Sequence, residues 1–153
     1  MDEAHLARAI DLATANATSG GGPFGALVVT PDGQVFQGTN QVTATNDPTA
    51  HAEVEAIRAA GAGLGDFDLA GAVIYASCEP CPMCLGAALW SRADRVVFAA
   101  SRRDAAAAGF DDAAFYDYFE SGRRELMPVL QRRTERSGEP FTAWQANEDR
   151  TAY

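Results

Sequence analysis

The chain is 153 residues long, 47% hydrophobic and 22% charged, and its 12 basic and 21 acidic side chains leave a net charge of −9. That length suits one domain able to bury a core without disulfides or repeats, and the acidity argues against a nucleic-acid surface, which needs clustered positive charge. All 12 basic residues are arginines, which excludes a Schiff-base lysine, a pyridoxal-phosphate anchor and a P-loop lysine. Apolar runs such as Ala26–Val29 and Val96–Ala100 are far too short to span a membrane. Met1-Asp2-Glu3 lacks the apolar stretch of a secretory leader. The cysteine count is 3, an odd number, with two in a metal-type spacing. A reduced, cytoplasmic, metal-binding chain is the expectation.

In chain order, Leu6, Ile10, Ala13 and Ala17 recur at helical spacing and predict a helix over 2–17 with His5 on its polar face. Gly20-Gly21-Gly22-Pro23 ends it. Phe24–Thr30 and Gln34–Thr39 read as strands joined by the turn Pro31-Asp32-Gly33. Asp47 and Pro48 read as N-cap and first position of a helix running to Ala60, with Gly61, Gly63 and Gly65 breaking it. Then come a strand at Ala72–Ser77, a helix at Cys81–Ser91 opened by prolines, and a buried strand at Arg95–Ala100. A helix over 111–121, a strand at Pro128–Arg133 and a helix at Pro140–Glu148 complete the order. Strands alternating with helices imply parallel pairings, and the hairpin adds an antiparallel one, so a mixed sheet is expected. Gly20, Gly22 and Gly25 match a dinucleotide-loop spacing, but they precede a strand and Pro23 interrupts them. They read as a turn.

Two short strings carry the chemistry: His51-Ala52-Glu53 and Pro80-Cys81-Pro82-Met83-Cys84. One imidazole and two thiolates suit Zn²⁺, which is tetrahedral and becomes catalytic when its fourth position is left to water. Cys81 and Cys84 sit one turn apart on one helix face, where the helix N-terminus favours thiolates. His51 and Glu53, two apart, cannot share a face. Both reach one site only if they lie in a first turn whose end points at the metal. Glu53 is then free to move protons, from water to a ring nitrogen and on to a departing amine. The net chemistry is hydrolytic deamination of an amidine-like C–NH₂. A thiol protease would leave Glu53 and the second cysteine unexplained. A redox C-x-x-C protein would bind no metal. A purely structural zinc would need Cys78 as fourth ligand, whereas Cys78 reads better as a small buried strand-end residue.

The chain resembles the cytidine-deaminase-like zinc deaminases, as its H-x-E and P-C-x-x-C strings imply. From Phe24 to Tyr153 it is most similar to bacterial guanine deaminases. The resemblance rests on Pro23-Phe24-Gly25-Ala26, on Asn46–Glu53, on Ser77–Ala87, on Ala107-Ala108-Gly109-Phe110-Asp111-Asp112 and on the terminal Tyr153. It implies a three-layer α-β-α sandwich with helices on both faces of a mixed five-stranded sheet, one zinc per subunit, and guanine-to-xanthine deamination in purine metabolism. Guanosine, cytosine, cytidine and tRNA adenosine are the alternatives. The resemblance implies His51, Cys81 and Cys84 as metal ligands and Glu53 as the catalytic residue. It places Asn40, Asp112, Phe24, Ala52 and Trp90 at the substrate. It also implies a homodimer that exchanges a C-terminal segment over about 138–153, bringing Tyr153 of the partner to the site.

Overall fold

The computed structural model describes residues 1–110, 112–122 and 125–153. Helix α1 (Asp2–Thr18) is followed by β1 (Gly25–Val29), β2 (Val35–Thr39), the short α2 (Val42–Thr45), α3 (Ala52–Leu64), β3 (Val73–Cys78), α4 (Pro82–Trp90) and β4 (Arg95–Ala100). Three further helices, α5 (Arg102–Ala107), α6 (Ala113–Glu120) and α7 (Glu139–Ala146), complete the described elements.

The strands form one sheet in the order β2-β1-β3-β4. β1 pairs antiparallel with both β2 and β3, while β3 and β4 run parallel. Alternation along the strands builds two apolar layers. Ala26, Val28 and Ile74 pack with Ala52, Ala56 and Ala60 of α3 and Ala88 of α4 on one face. Leu27 and Tyr75 pack with Ala9 of α1 on the other. Helices therefore cover both faces. Glycines set the spacing, because a strand glycine lets a helix backbone come close. Gly25 lies against the α1 backbone and Gly38 against that of α3. The start of α1 is tied across the sheet: Asp2 accepts from the Tyr75 hydroxyl (2.7 Å) and from Arg95 (3.0 and 3.1 Å). Among the described residues, no helix is long and apolar enough to cross a membrane.

Several local expectations are corrected. Among the described residues the sheet has four strands: residues 128–133 form no ladder, and Val129 and Leu130 are 69% and 73% exposed. Pro128 cannot donate to a ladder, and the apolar pair beside it does not extend the sheet past β4. β4 is consequently the sheet edge and not a buried strand, with Phe98 44% exposed. α3 begins at Ala52, not Pro48, because Asp47 Oδ1 accepts from the Thr49 amide and hydroxyl (2.8 and 2.7 Å). That turn competes with helix initiation. α3 runs through Gly61 and Gly63 to Leu64 and ends at Gly65, in the left-handed region at φ 68°. Gly63 is retained in the helix because Phe36 occupies the space a side chain would need; packing overrides propensity. The buried face of α1 passes through Ala9 and Ala13, leaving Ile10 exposed over a groove between α1 and α5. Helices α2 and α5 were not expected. α5 carries a legible signal, a capping box in which Ser101 and Asp104 bond each other's backbone amides.

Candidate metal centre and active-site cavity

The two H-x-E and P-C-x-x-C strings converge at the N-termini of α3 and α4. His51 is the N-cap of α3 and Cys81 the N-cap of α4, both with extended backbone, and neither makes a side-chain capping bond. Their side chains turn instead toward each other. His51 Nδ1 lies 3.6 Å from Cys81 Sγ and 3.5 Å from Cys84 Sγ, and the two sulfurs are 3.6 Å apart. Tetrahedral zinc, with Zn–S near 2.3 Å and Zn–N near 2.0 Å, requires roughly 3.8 Å between sulfurs and roughly 3.5 Å between sulfur and nitrogen. The donor set fits zinc in both chemistry and spacing, and His51, Cys81 and Cys84 are positioned to hold a metal ion. Cys78 stands outside this cluster: its Sγ faces the Ser101 carbonyl at 3.6 Å.

Electrostatics match the donor set. A hydrogen bond from Cys84 and the adjacent His51 draw the Cys81 thiol down to about 4, so it is a thiolate at neutral pH. Its negative neighbour and burial push the Cys84 thiol up. The Cys81 sulfur also raises the His51 imidazole. Glu53, in the first turn of α3 and buried, has its carboxyl raised chiefly by desolvation. A carboxyl whose proton affinity is raised by burial is suited to accepting a proton and returning it.

Above these residues opens a cavity of about 350 Å³ lined by Phe24, Asn40, His51, Glu53, Cys81, Phe110 and Asp112, among others. Asn40 Oδ1 accepts from the Val42 amide (3.2 Å), which fixes the amide orientation and leaves the Asn40 NH₂ as a donor. Asn16 of α1 holds this wall from behind, donating to the carbonyls of Gly22 (2.8 Å) and Asn40 (2.9 Å). Asp112 is the N-cap of α6, and desolvation raises its carboxyl. The Phe24 and Phe110 rings meet edge to face at 4.9 Å. Asp111 of the same string lies outside the described residues.

Two residues expected at the substrate, Ala52 and Trp90, are not among those lining the cavity of this chain, and Tyr153 was expected from a partner subunit. Ala52 packs into the core with Ala26 and Val28, because it sits between two residues that face the site. Trp90, at the far end of α4 and 69% exposed, is about 12 Å along the helix axis from Pro82. The chain's own Tyr153 lies not in the cavity but near Trp90, Phe67 and Trp144, at ring separations of 6.0, 6.4 and 6.4 Å. Conversely, Glu79, Arg102 and Phe115 line the cavity without having been expected there. Arg102 opens the unexpected helix α5, so its approach to Glu79 had no local signal.

A sequence profile described as the cytidine and deoxycytidylate deaminase zinc-binding region matches residues 1–100. The chain is 46% identical over 144 residues to the guanine deaminase of Bacillus subtilis, covering 93% of this chain and 92% of that one. An X-ray structure of B. subtilis guanine deaminase superposes with a TM-score of 0.93 at 44% identity, covering 99% and 98% of the two chains. The tRNA-specific adenosine deaminase of Haemophilus influenzae is 36% identical over 119 residues, 77% of this chain and 69% of the relative. The three-donor cluster, the buried carboxylate beside it and these likenesses agree: this chain belongs to the zinc-dependent cytidine and deoxycytidylate deaminase family.

Proposed function

We propose that this protein catalyses the hydrolytic deamination of a purine base, guanine to xanthine and ammonia. The observation that carries this reading is the placement of Glu53 beside the metal donors, in a cavity whose walls include the Asn40 amide, the Asp112 carboxylate and the Phe24 and Phe110 rings. The likeness to guanine deaminase along nearly the whole chain supports the choice of base.

Zinc, when bound, supplies the Lewis acidity that makes water nucleophilic near neutral pH. The chain's own groups do the rest. Glu53 takes a proton from the attacking water and delivers it to the purine ring nitrogen; it then takes the proton of the newly added hydroxyl, as that C–O becomes the product carbonyl, and hands it to the amine that leaves as ammonia. Asn40 donates its NH₂ to an acceptor on the base, since its carbonyl oxygen is already engaged. Asp112 accepts from an N–H on the opposite edge. Phe24 and Phe110, packed edge to face, form one apolar wall against which the base lies and which excludes water. A site that hydrogen-bonds both edges of a base discriminates strongly against analogues that leave its polar groups unpaired.

The active form in this reading is a homodimer exchanging residues 138–153, with Tyr153 of the partner subunit closing the cavity. The support is the uncovered apolar surface of the tail: Phe141 is 72% exposed and Tyr153 71%. The test is ammonia release from guanine, guanosine, adenine, cytosine and cytidine. Guanine is expected to dominate, and Glu53→Gln should keep its zinc while losing turnover. Release from guanosine or cytidine without release from guanine would overturn the substrate. A monomer whose activity survives loss of residues 150–153 would remove the tail exchange.

A further inference from the structure

The Cys78–Cys81 connection delivers the first sulfur donor to the site, and the composition of that loop limits how it is held. Pro80 and Pro82 flank Cys81 and have no N–H, so these two positions offer only carbonyls as anchors. The structure supplies those anchors from α5 and α6. The Pro80 carbonyl, one peptide before Cys81, accepts from the Tyr116 hydroxyl at 2.5 Å. Glu79 donates its amide to the Ala100 carbonyl at 2.8 Å. Its carboxylate accepts from the Arg102 amide and Nε, both at 2.9 Å, with Arg102 Nη2 2.7 Å away. The Arg102 guanidinium then lies over the Tyr116 ring, 3.7 Å from its centre. One continuous contact chain, Glu79 to Arg102 to Tyr116 to Pro80, closes on the loop from both sides.

The same α5–α6 unit carries Phe110 and Asp112, which line the cavity above the metal donors. From this arrangement we infer that Tyr116 is a positioning residue for Cys81, oriented by Arg102, and that it couples metal retention to the substrate wall. Plain packing would use the ring of Tyr116 but not its hydroxyl. The hydroxyl is the only side-chain donor to the Pro80 carbonyl among the described residues. Partners that orient a metal ligand typically change metal affinity or activity by about 10–100-fold when removed.

The inference rests on the metal-centre reading but not on the identity of the substrate. Its test is the rate at which zinc-loaded protein releases its metal to a colorimetric chelator, measured without substrate. Tyr116→Phe keeps the ring and should release zinc on the order of 10-fold faster, at the low end of the range for such partners. Arg102→Lys, which loses the fork and the stacking, should also release it faster. Tyr118→Phe is the matched control, since the Tyr118 hydroxyl also donates to a backbone carbonyl, that of Met127 at 3.0 Å, away from the loop. It should release zinc at the wild-type rate. Wild-type release from Tyr116→Phe, or equally fast release from Tyr118→Phe, overturns the inference. Wild-type protein that binds no zinc overturns both it and the metal centre. Zinc retained without guanine turnover overturns only the substrate assignment.

Discussion

Gly38→Ala is the substitution whose effect follows most directly from the packing of β2 against α3. A methyl group at Gly38 would stand 2.1 Å from the Ala52 carbonyl oxygen and 2.4 Å from the Ala56 nitrogen. Comfortable non-bonded contact begins near 3.5 Å, so strand and helix would have to part by about 1.4 Å. The obstructing atoms are backbone, so no side chain can swing aside. Overpacking of this kind costs about 1–3 kcal/mol. For a chain of this size, each kcal/mol shifts Tm by about 2–4 °C, so the expected loss is roughly 2–12 °C. The displaced segment is the first turn of α3, which carries Glu53. A shift near 1 Å at a reacting group costs about 100-fold in rate. Differential scanning fluorimetry and ammonia release from guanine would measure both effects. Gly25→Ala is the comparison, because its methyl would strike Ala9 and Ala13 of α1 at 2.5 and 2.7 Å, on the face of the sheet opposite α3. It should lower Tm with a much smaller loss of turnover. Unchanged Tm and unchanged kcat/KM in Gly38→Ala would refute the close-approach argument.

Two further outcomes are expected. Gly22→Ala would place a methyl 2.8 Å from Asn40 Cγ, the end of a flexible side chain, so the fold tolerates it while Asn40 turns away from the substrate; KM for guanine should rise with zinc content and Tm nearly unchanged, and an unaltered KM would remove Asn40 from base recognition. Burial pushes the Tyr116 hydroxyl up to about 12 from its ordinary 10.0. Both states are protonated below about 10, and above it the unfolded chain loses the proton first, so stability falls as pH rises between about 10 and 12. Urea midpoints across that window should decline less steeply for Tyr116→Phe than for the parent, and parallel slopes would count against the burial argument.

The elements that followed from the sequence are those whose signals are local. The Pro31-Asp32-Gly33 turn announced the hairpin, and the period of α1 and the prolines before α4 marked those helices. The failures are tertiary. Asp47 carries a helix-start signal that its own bond to Thr49 diverts, and Pro128–Arg133 has strand residues but pairs with no strand. At the site, His51, Glu53, Cys81 and Cys84 were legible because zinc chemistry fixes both residue types and their spacing. Ala52 and Trp90 do not line the cavity of this chain, since adjacency to a motif does not say which way a side chain points. Glu79, Arg102 and Tyr116 were invisible since their contacts join segments 14 to 36 residues apart. Such closure has no one-dimensional trace.

His51 and Cys81 each stand where a helix ordinarily takes Ser, Thr, Asp or Asn, and neither offers its first turn a hydrogen bond. α3 and α4 therefore begin without the usual side-chain latch, at the point where both would hold the same ion. A cation bridging the two residues would knot both helix ends together, so competent enzyme should accumulate in proportion to zinc supplied during biosynthesis. Cells starved of the metal would hold chain that has collapsed but whose α3 and α4 ends have never been fastened.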